Sequence, residues 1–329
     1  MTCATHAAVA AAVVLGFAGA APARAQVSCG DVIGPNETVT LEGDVDGCGP
    51  GAAALTVIGP ATLDLNGFSL ICAPSASPPT GIVVVGKRAR VRSGSVQLCG
   101  TGVELLGEGA HQIEGVIAAL SDGGAGSRGE GFVIESDRNR LTGNSAVQNS
   151  AEGFRIVEGN RNQLIDNNAF FNEIGFQILI GQRNVLEGNR AGDNDVFGFH
   201  LDGGPFVPGG GRNSLKENTA TGNSTGFSLD SELATRLTSN VASENERDGI
   251  EVFFGDRNRL TGNRVEDNGE SGIVIASSRN AVIRLNTSLN NDRAADDVRS
   301  FDMLDSLSDC GTSRWLGNVF VTSNESCIR

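Results

Sequence analysis

The chain has no tyrosine, one tryptophan and only 5% aromatic residues over 329 positions. A lectin that stacks sugars on many ring platforms is therefore not the expectation. The formal charge is −14, which makes nucleic acid and anionic membrane poor partners at long range. Cys-x-x-Cys, HExxH, P-loop, GxSxG and EF-hand patterns are all missing, and with them the commonest zinc, nucleotide, serine-hydrolase and calcium signatures. Beyond the first residues nothing approaches the roughly 18 consecutive apolar residues of a membrane span.

What precedes that point reads as an export leader covering residues 1–25. Positions 7–20 are apolar but too short to span a bilayer, and Ala23-Arg24-Ala25 supplies a small-x-small cleavage pattern before Gln26. The mature chain is expected to be secreted or periplasmic, not inserted in a membrane, and monomeric. Cleavage removes Cys3 and leaves Cys29, Cys48, Cys72, Cys99, Cys310 and Cys327. An even set in an exported chain favours disulfides over metal ligation. Many pairings are open, but closeness along the chain favours Cys29–Cys48, Cys72–Cys99 and Cys310–Cys327, with bridges toward the two ends.

From residue 131 to 291 one phrase keeps returning: Gly, apolar, any residue, apolar, then Asn, a Leu or Val, and two further Asn. It opens at Gly131, Gly153, Gly175, Gly198, Gly226, Gly249 and Gly272, in steps of 22, 22, 23, 28, 23 and 23 residues. A fixed period of this size means a solenoid. Apolar residues alternate (Phe154 and Ile156, Phe199 and Leu201), which is strand spacing. Asn fills three columns. The first is Asn139, Asn162, Asn184, Asn213 and Asn258, broken by Thr235. The second runs from Asn144 to Asn286 and the third from Asn149 to Asn291, one Asn per period. Asn tolerates the left-handed region and so suits a corner, and stacked amides can hydrogen-bond along the stack. Leucine-rich repeats share the period but want several Leu and one Asn per unit. The fold expected is all-β: a single-stranded parallel β-helix solenoid of about ten coils with disulfide-bridged end caps. Its limits are 26–40 for an N-terminal cap, 41–296 for the coils and 297–329 for a C-terminal cap. Gly-, Pro- and Ser-rich interruptions at 73–80, 121–130 and 204–211 read as loops.

These repeats resemble those of right-handed parallel β-helix proteins of the pectate-lyase-like superfamily, particularly secreted bacterial ones. Cys29-Gly30-Asp31-Val32-Ile33, followed by Thr62-Leu63-Asp64-Leu65-Asn66-Gly67, resembles their opening. Asp309-Cys310-Gly311 with Trp315-Leu316-Gly317-Asn318 and Cys327 resembles their C-terminal end. The resemblance implies the right-handed fold and raises the expectation of carbohydrate contact. The group holds polysaccharide lyases, hydrolases and epimerases, and also a periplasmic maturation factor for a copper site, so fold alone does not choose among functions. The Asp-Pro-His signature of alginate epimerases is missing, as are the Asn-Thr-Asp and Gly-His-Gly of polygalacturonases; the one Asp-Asp pair, Asp296-Asp297, lies near the C-terminal cap.

Alternation after each leading Gly sends the first and third residues inward and the second and fourth toward solvent. The second positions include Arg155, Gln177, His200, Ser228 and Glu251; the fourth include Asp202 and Asp230. Arg155, Gln177, His200, Asp202, Asp230 and Glu251 are therefore the candidate substrate-binding floor of a shallow groove. His200, Asp202 and Asp230 are the candidate catalytic residues. Two carboxylates on adjacent coils repel unless one is protonated or a cation is shared, which makes Asp202 and Asp230 a candidate Ca²⁺ site. The same residues would also suit a solvated acidic face. Arg138, Arg161, Arg183, Arg212, Arg257 and Arg279 each precede a corner and form a second column. It would either grip a uronate polymer or be a solubilising edge neutralised by Asp137, Asp166, Glu187, Glu217 and Asp256. The leading expectation is a rigid extracellular protein that contacts polysaccharide without catalytic machinery. The alternatives are a diverged lyase, hydrolase or epimerase with its site near Asp202, and a structural or protein-interaction scaffold.

Overall fold

The computed structural model describes residues 26–124, 128–204, 210–292 and 300–329. The leader, the middle of the interruptions at 121–130 and 204–211, and the boundary at 296/297 lie outside the described residues. Each coil lays down three short strands. One coil gives Glu152–Val157, Gln163–Ile165 and Asn168–Phe170; the next gives Ile174–Leu179, Val185–Glu187 and Arg190–Gly192. Equivalent strands pair in parallel, with Phe154 opposite Phe176, Leu164 opposite Leu186 and Ala169 opposite Ala191. The result is a right-handed solenoid with three strand faces. Among the described residues the only helical element is the 3₁₀ turn Ser308–Cys310.

The sheet formed by the first strand of each coil has 12 strands, more than the repeat count suggests. The extra rungs come from irregular ends that lack the Asn signature yet still pair. Asp31 lies opposite Leu55 and Thr38 opposite Thr62, both within the stretch assigned to the N-terminal cap. Met303 lies opposite Ile273 and Arg314 opposite Val282, within 297–329.

The interior follows from the alternation. Phe132, Phe154, Phe176, Phe199 and Phe227 stack ring on ring, with centroids 4.6–4.8 Å apart and planes within 6°. Ile250 and Ile273 continue that column. The Gly before each Phe takes an inward position where the backbones crowd: a Cβ on Gly153 would sit 2.8 Å from the Gly175 carbonyl oxygen and 3.1 Å from Asn172 Nδ2.

The Asn columns are buried ladders. In the second, each Nδ2 donates to Oδ1 of the Asn in the next coil at 2.9–3.0 Å, from Asn144 through to Asn318. That same oxygen accepts the backbone N–H of the Asn before it, as Asn189 Oδ1 does from Asn167. The third column ends on Asp302, whose Oδ1 accepts from Asn291 Nδ2 at 3.1 Å. The ladder Asn is not itself the left-handed residue of the corner, contrary to the expectation from its backbone tolerance. The left-handed residue is the one before each ladder Asn: Arg161, Asp166 and Phe171 in one coil, at φ 58°, 53° and 58°. The Asn itself is selected for its amide, which saturates backbone groups at a bend where no strand can.

His111 extends the first column by chemical mimicry. Its N–H donates to Asn139 Oδ1, its Nδ1 accepts from the Ala89 N–H at 3.2 Å, and its Nε2–H donates to the Leu106 carbonyl at 3.0 Å. A neutral imidazole supplies the acceptor and donor that Asn would, and burial lowers its pKa.

The disulfides are Cys29–Cys48, Cys72–Cys99 and Cys310–Cys327, as chain proximity favours. Thiol titration of the denatured, unreduced chain should find no reactive thiol beyond Cys3, if the leader is retained. Two or more would overturn the pairing.

Candidate functional site

The outward surface of the 12-stranded sheet carries three parallel columns. The central one is continuous in register: Val133, Arg155, Gln177, His200, Ser228, Glu251 and Val274 lie opposite one another in succession. On one side run Leu179, Asp202, Asp230 and Phe253. All six predicted substrate-binding residues therefore stand on five consecutive coils of one face, with Asp202 directly opposite Asp230.

Their exposure departs from the sequence reading. Gln177 is 8%, Ser228 3% and Glu251 7% exposed, where open second positions were expected. The cause is a third column, made by the residue before each leading Gly. The Gly takes an inward position without a side chain, so its predecessor faces out: Glu152, Ile174, Phe197 and Thr225 lie opposite one another along the stack. With coils about 4.8 Å apart, side chains from both flanks cover the middle. This column is the part of the face that forward counting from Gly misses, although its signal, the position before Gly, is present in every repeat.

The N-terminal end of the face is electrostatically closed. Arg155 donates to Glu130 Oε1 at 3.1 Å and Arg128 to Glu152 Oε1 at 2.9 Å, while Thr101 donates to Glu130 Oε2 at 3.2 Å. Arg155 is thus committed to a buried carboxylate and is not a free cation. Burial raises the Glu152 pKa, opposed by Arg128 and Arg155.

The middle is polar and partly open. The Gln177 amide lies 3.4 Å from His200 Nδ1, and its Oε1 is buried without a protein partner. The His200 ring stacks on Phe197, centroids 4.6 Å apart. Burial lowers the His200 pKa against the opposing pull of Asp202 and Asp230. Burial pushes Glu251 up to about 7, against its hydrogen bond with Ser228, with Asp248 and Asp230 adding to the rise. Asp248 is pushed to about 6, again mainly by burial. The two candidate carboxylates each turn an oxygen to a local donor: Asp202 Oδ1 accepts from Gly204 N–H at 2.8 Å, and Asp230 Oδ1 from Ser231 Oγ at 3.0 Å. Among the described residues no group of three or more His, Cys, Asp or Glu is placed to hold a metal ion.

The arginine column also differs from expectation. Of its six members only Arg257 has an ion-pair partner among the described residues, Asp256 at 3.7 Å. Glu187 and Glu217 hold Lys216 instead, at 2.7 and 3.2 Å, because both sit past the next bend from the arginines. Asp137 Oδ1 accepts from the Asn160 backbone N–H at 2.8 Å.

These features define a right-handed parallel β-helix with an ordered polar face. Residues 80–232 match the family model described as right handed beta helix region, and residues 206–304 match the one described as periplasmic copper-binding protein (NosD). Among solved structures the chain is similar to the periplasmic alginate epimerase AlgG (17% identity, TM-score 0.57, covering 83% of this chain and 78% of that one). It is similar to the Dettilon tailspike protein gp208 (12%, 0.62, 85% and 61%). It is also similar to a mannuronic acid specific polysaccharide family 6 lyase from human gut microbiota (10%, 0.55, 92% and 78%). At these identities the likeness is one of fold. No curated protein matches the chain.

The copper chemistry in one family's description finds no donor set among the described residues. Copper(I) favours thiolate, imidazole or thioether groups and copper(II) takes nitrogen–oxygen sets, and no group of three or more His, Cys, Asp or Glu is placed together among the described residues. Here the six described cysteines are all in disulfides, both His111 nitrogens are engaged in the interior, and Met303 is fully buried. His200 stands as a single imidazole on the outward face, stacked on Phe197.

Proposed function

We propose that this chain is a rigid polysaccharide-binding protein of the periplasm or extracellular space, contacting a sugar polymer along the outward face of the 12-stranded sheet. The observation that carries the reading is the register of Gln177, His200, Ser228 and Glu251 beside Asp202 and Asp230, with Gln177 Oε1 lacking a protein partner. Such a row offers donors and acceptors at each coil to a chain of hydroxyl-bearing rings, and Phe197 offers one apolar ring for stacking. The structural neighbours, an alginate epimerase and a polysaccharide lyase, support the same ligand class. Many parallel hydrogen bonds of this kind give selectivity more than strength.

The full chain should be retained by at least one member of a panel of neutral and acidic polysaccharides. Asp202→Asn/Asp230→Asn should fold normally and lose at least tenfold in affinity for a neutral glycan so retained, about 1.4 kcal/mol. Unchanged binding would make this face solvated surface, and no retention by any glycan would favour a scaffold. Glu251 and Asp248 are neutral below their raised values of about 7 and about 6 and charged above them. An acidic glycan on this face should therefore bind more tightly at pH 5.5 than at pH 8.

A catalytic reading has one observation in its favour. Glu251 holds a proton near neutrality one coil from Asp230. Their backbone positions are roughly 8 Å apart by strand geometry, near the approximately 6.5–9.5 Å between carboxyls at which an inverting glycosidase admits water. New reducing ends, abolished by Glu251→Gln without loss of binding, would establish it; a retained glycan left intact would exclude it.

A further inference from the structure

The bend after each first-sheet strand carries Arg138, Arg161, Arg183 and Arg212 at equivalent positions on consecutive coils. Stacking is direct there: Arg138 N–H donates to the Asn160 carbonyl and Arg161 N–H to the Gln182 carbonyl, each at 2.9 Å. All four side chains are exposed. Their backbones are left-handed, at φ 58°, 58°, 57° and 56°, a conformation that Gly or Asn would adopt at lower cost. Neither the backbone nor an internal ion pair accounts for arginine here, since none of the four has an ion-pair partner among the described residues. Asp137, Asn160, Arg161, Gln182 and Arg183 line a depression of about 280 Å³. The Asp137 carboxylate in it is already engaged by the Asn160 N–H and Nδ2.

We propose that this ridge is a second binding element, which holds a linear polysaccharide carrying a carboxylate on each sugar, laid parallel to the solenoid axis. Backbones stacked about 4.8 Å apart let the two guanidinium groups reach one carboxylate bridging Arg161 and Arg183, and the planar fork suits that geometry better than a point charge. The half-buried Gln182 amide beside them suits a sugar hydroxyl. Nucleic acid fits less well, because the ridge has no aromatic platform for bases and the chain as a whole carries −14. The ridge goes beyond the reading above, since it uses none of Asp202, Asp230 or Glu251.

The test is titration of the full chain with polygalacturonate, dextran and oligothymidylate at low and physiological ionic strength. Polygalacturonate should bind, more weakly as salt rises, and Arg161→Ser/Arg183→Ser should reduce its affinity at least tenfold with an unchanged unfolding midpoint. Arg161→Lys/Arg183→Lys, which keeps the charge and loses the fork, should fall between. Asp202→Asn/Asp230→Asn should leave this arginine-dependent binding in place even if the outward face proves inert. The proposal fails if wild type does not bind polygalacturonate, if the serine variant binds it equally well, or if dextran or oligothymidylate shows the same arginine dependence.

Discussion

Asn189→Ala should destabilise the chain by about 3–4 kcal/mol, while Gln182→Ala in the same coil should change little. Asn189 is fully buried. Its Oδ1 accepts from Asn167 N–H at 2.9 Å and Nδ2 at 3.0 Å, and its Nδ2 donates to the Leu164 carbonyl at 2.8 Å. Truncation leaves a backbone N–H, an amide N–H and a carbonyl without partners, away from water. Each such group costs about 1–3 kcal/mol, partly relieved by relaxation. Gln182 Cβ and beyond are half-buried, and the bond it makes to Asn160 Oδ1 uses the backbone N–H, which alanine retains. Urea unfolding followed by far-UV circular dichroism gives the global midpoint, and Trp315, held by Asp305 in a terminal coil, reports that end alone. Equal, negligible shifts for both variants would mean that the ladder amides bond to water.

Replacing Glu232 and Thr235 together by Gly and Asn should stabilise the chain by about 3 kcal/mol at pH 8 and far less at pH 4. Thr235 breaks the first Asn column, and Glu232 occupies the position three residues earlier, where other coils have Gly159 and Gly181. A Cβ at those glycines would meet Asn162 Nδ2 at 2.8 Å and Asn184 Nδ2 at 2.7 Å, so at these corners Asn leaves no room for a longer side chain three residues earlier. The shorter Thr235 makes room for the Glu232 carboxyl, which accepts from Thr235 Oγ1 and from Asn213 Nδ2. Burial pushes Glu232 up to about 7 from the usual 4.5, against those two bonds. Between the two values the folded state holds a proton that the unfolded state has lost. Its stabilising contribution is complete below about 4.5 and disappears as pH rises through 7. Glu251 and Asp248 act in the same direction and the two histidines, whose pKa values are lowered, oppose them, so the difference between the wild-type and double-variant pH profiles isolates Glu232. Thr235→Asn alone should destabilise, because the new amide would meet the carboxyl. Superimposable profiles from pH 5 to 8 would refute the assignment.

The coil, its three-column Asn ladder and the disulfide pairs were readable because each is written as identity at a fixed period or as closeness along the chain. The placement of Gln177, His200, Asp202, Asp230 and Glu251 on one face was readable for the same reason, since alternation converts spacing into direction. Burial was not. Whether Glu251 meets water depends on flanking columns, and one of those hung on recognising that Gly153 and its equivalents take an inward position. The Glu232–Thr235 exchange was visible only as a gap in a column; its compensation lies three residues away and needs the bend's geometry to be recognised. The arginine neighbours misled because residues adjacent in sequence are separated by a bend, so Glu187 faces Lys216 instead of Arg183.

The stacked phenylalanines, the Asn ladder and the strand registers repeat without a change of phase from one coil to the next. Each coil therefore hands on the same surface that it receives, and length becomes a count instead of a shape. Adding or excising one whole unit would move the rod's far end by about 4.8 Å and carry with it one outward polar row and one bend position. Reach along a polymer would then change in whole steps, with every remaining contact still in register.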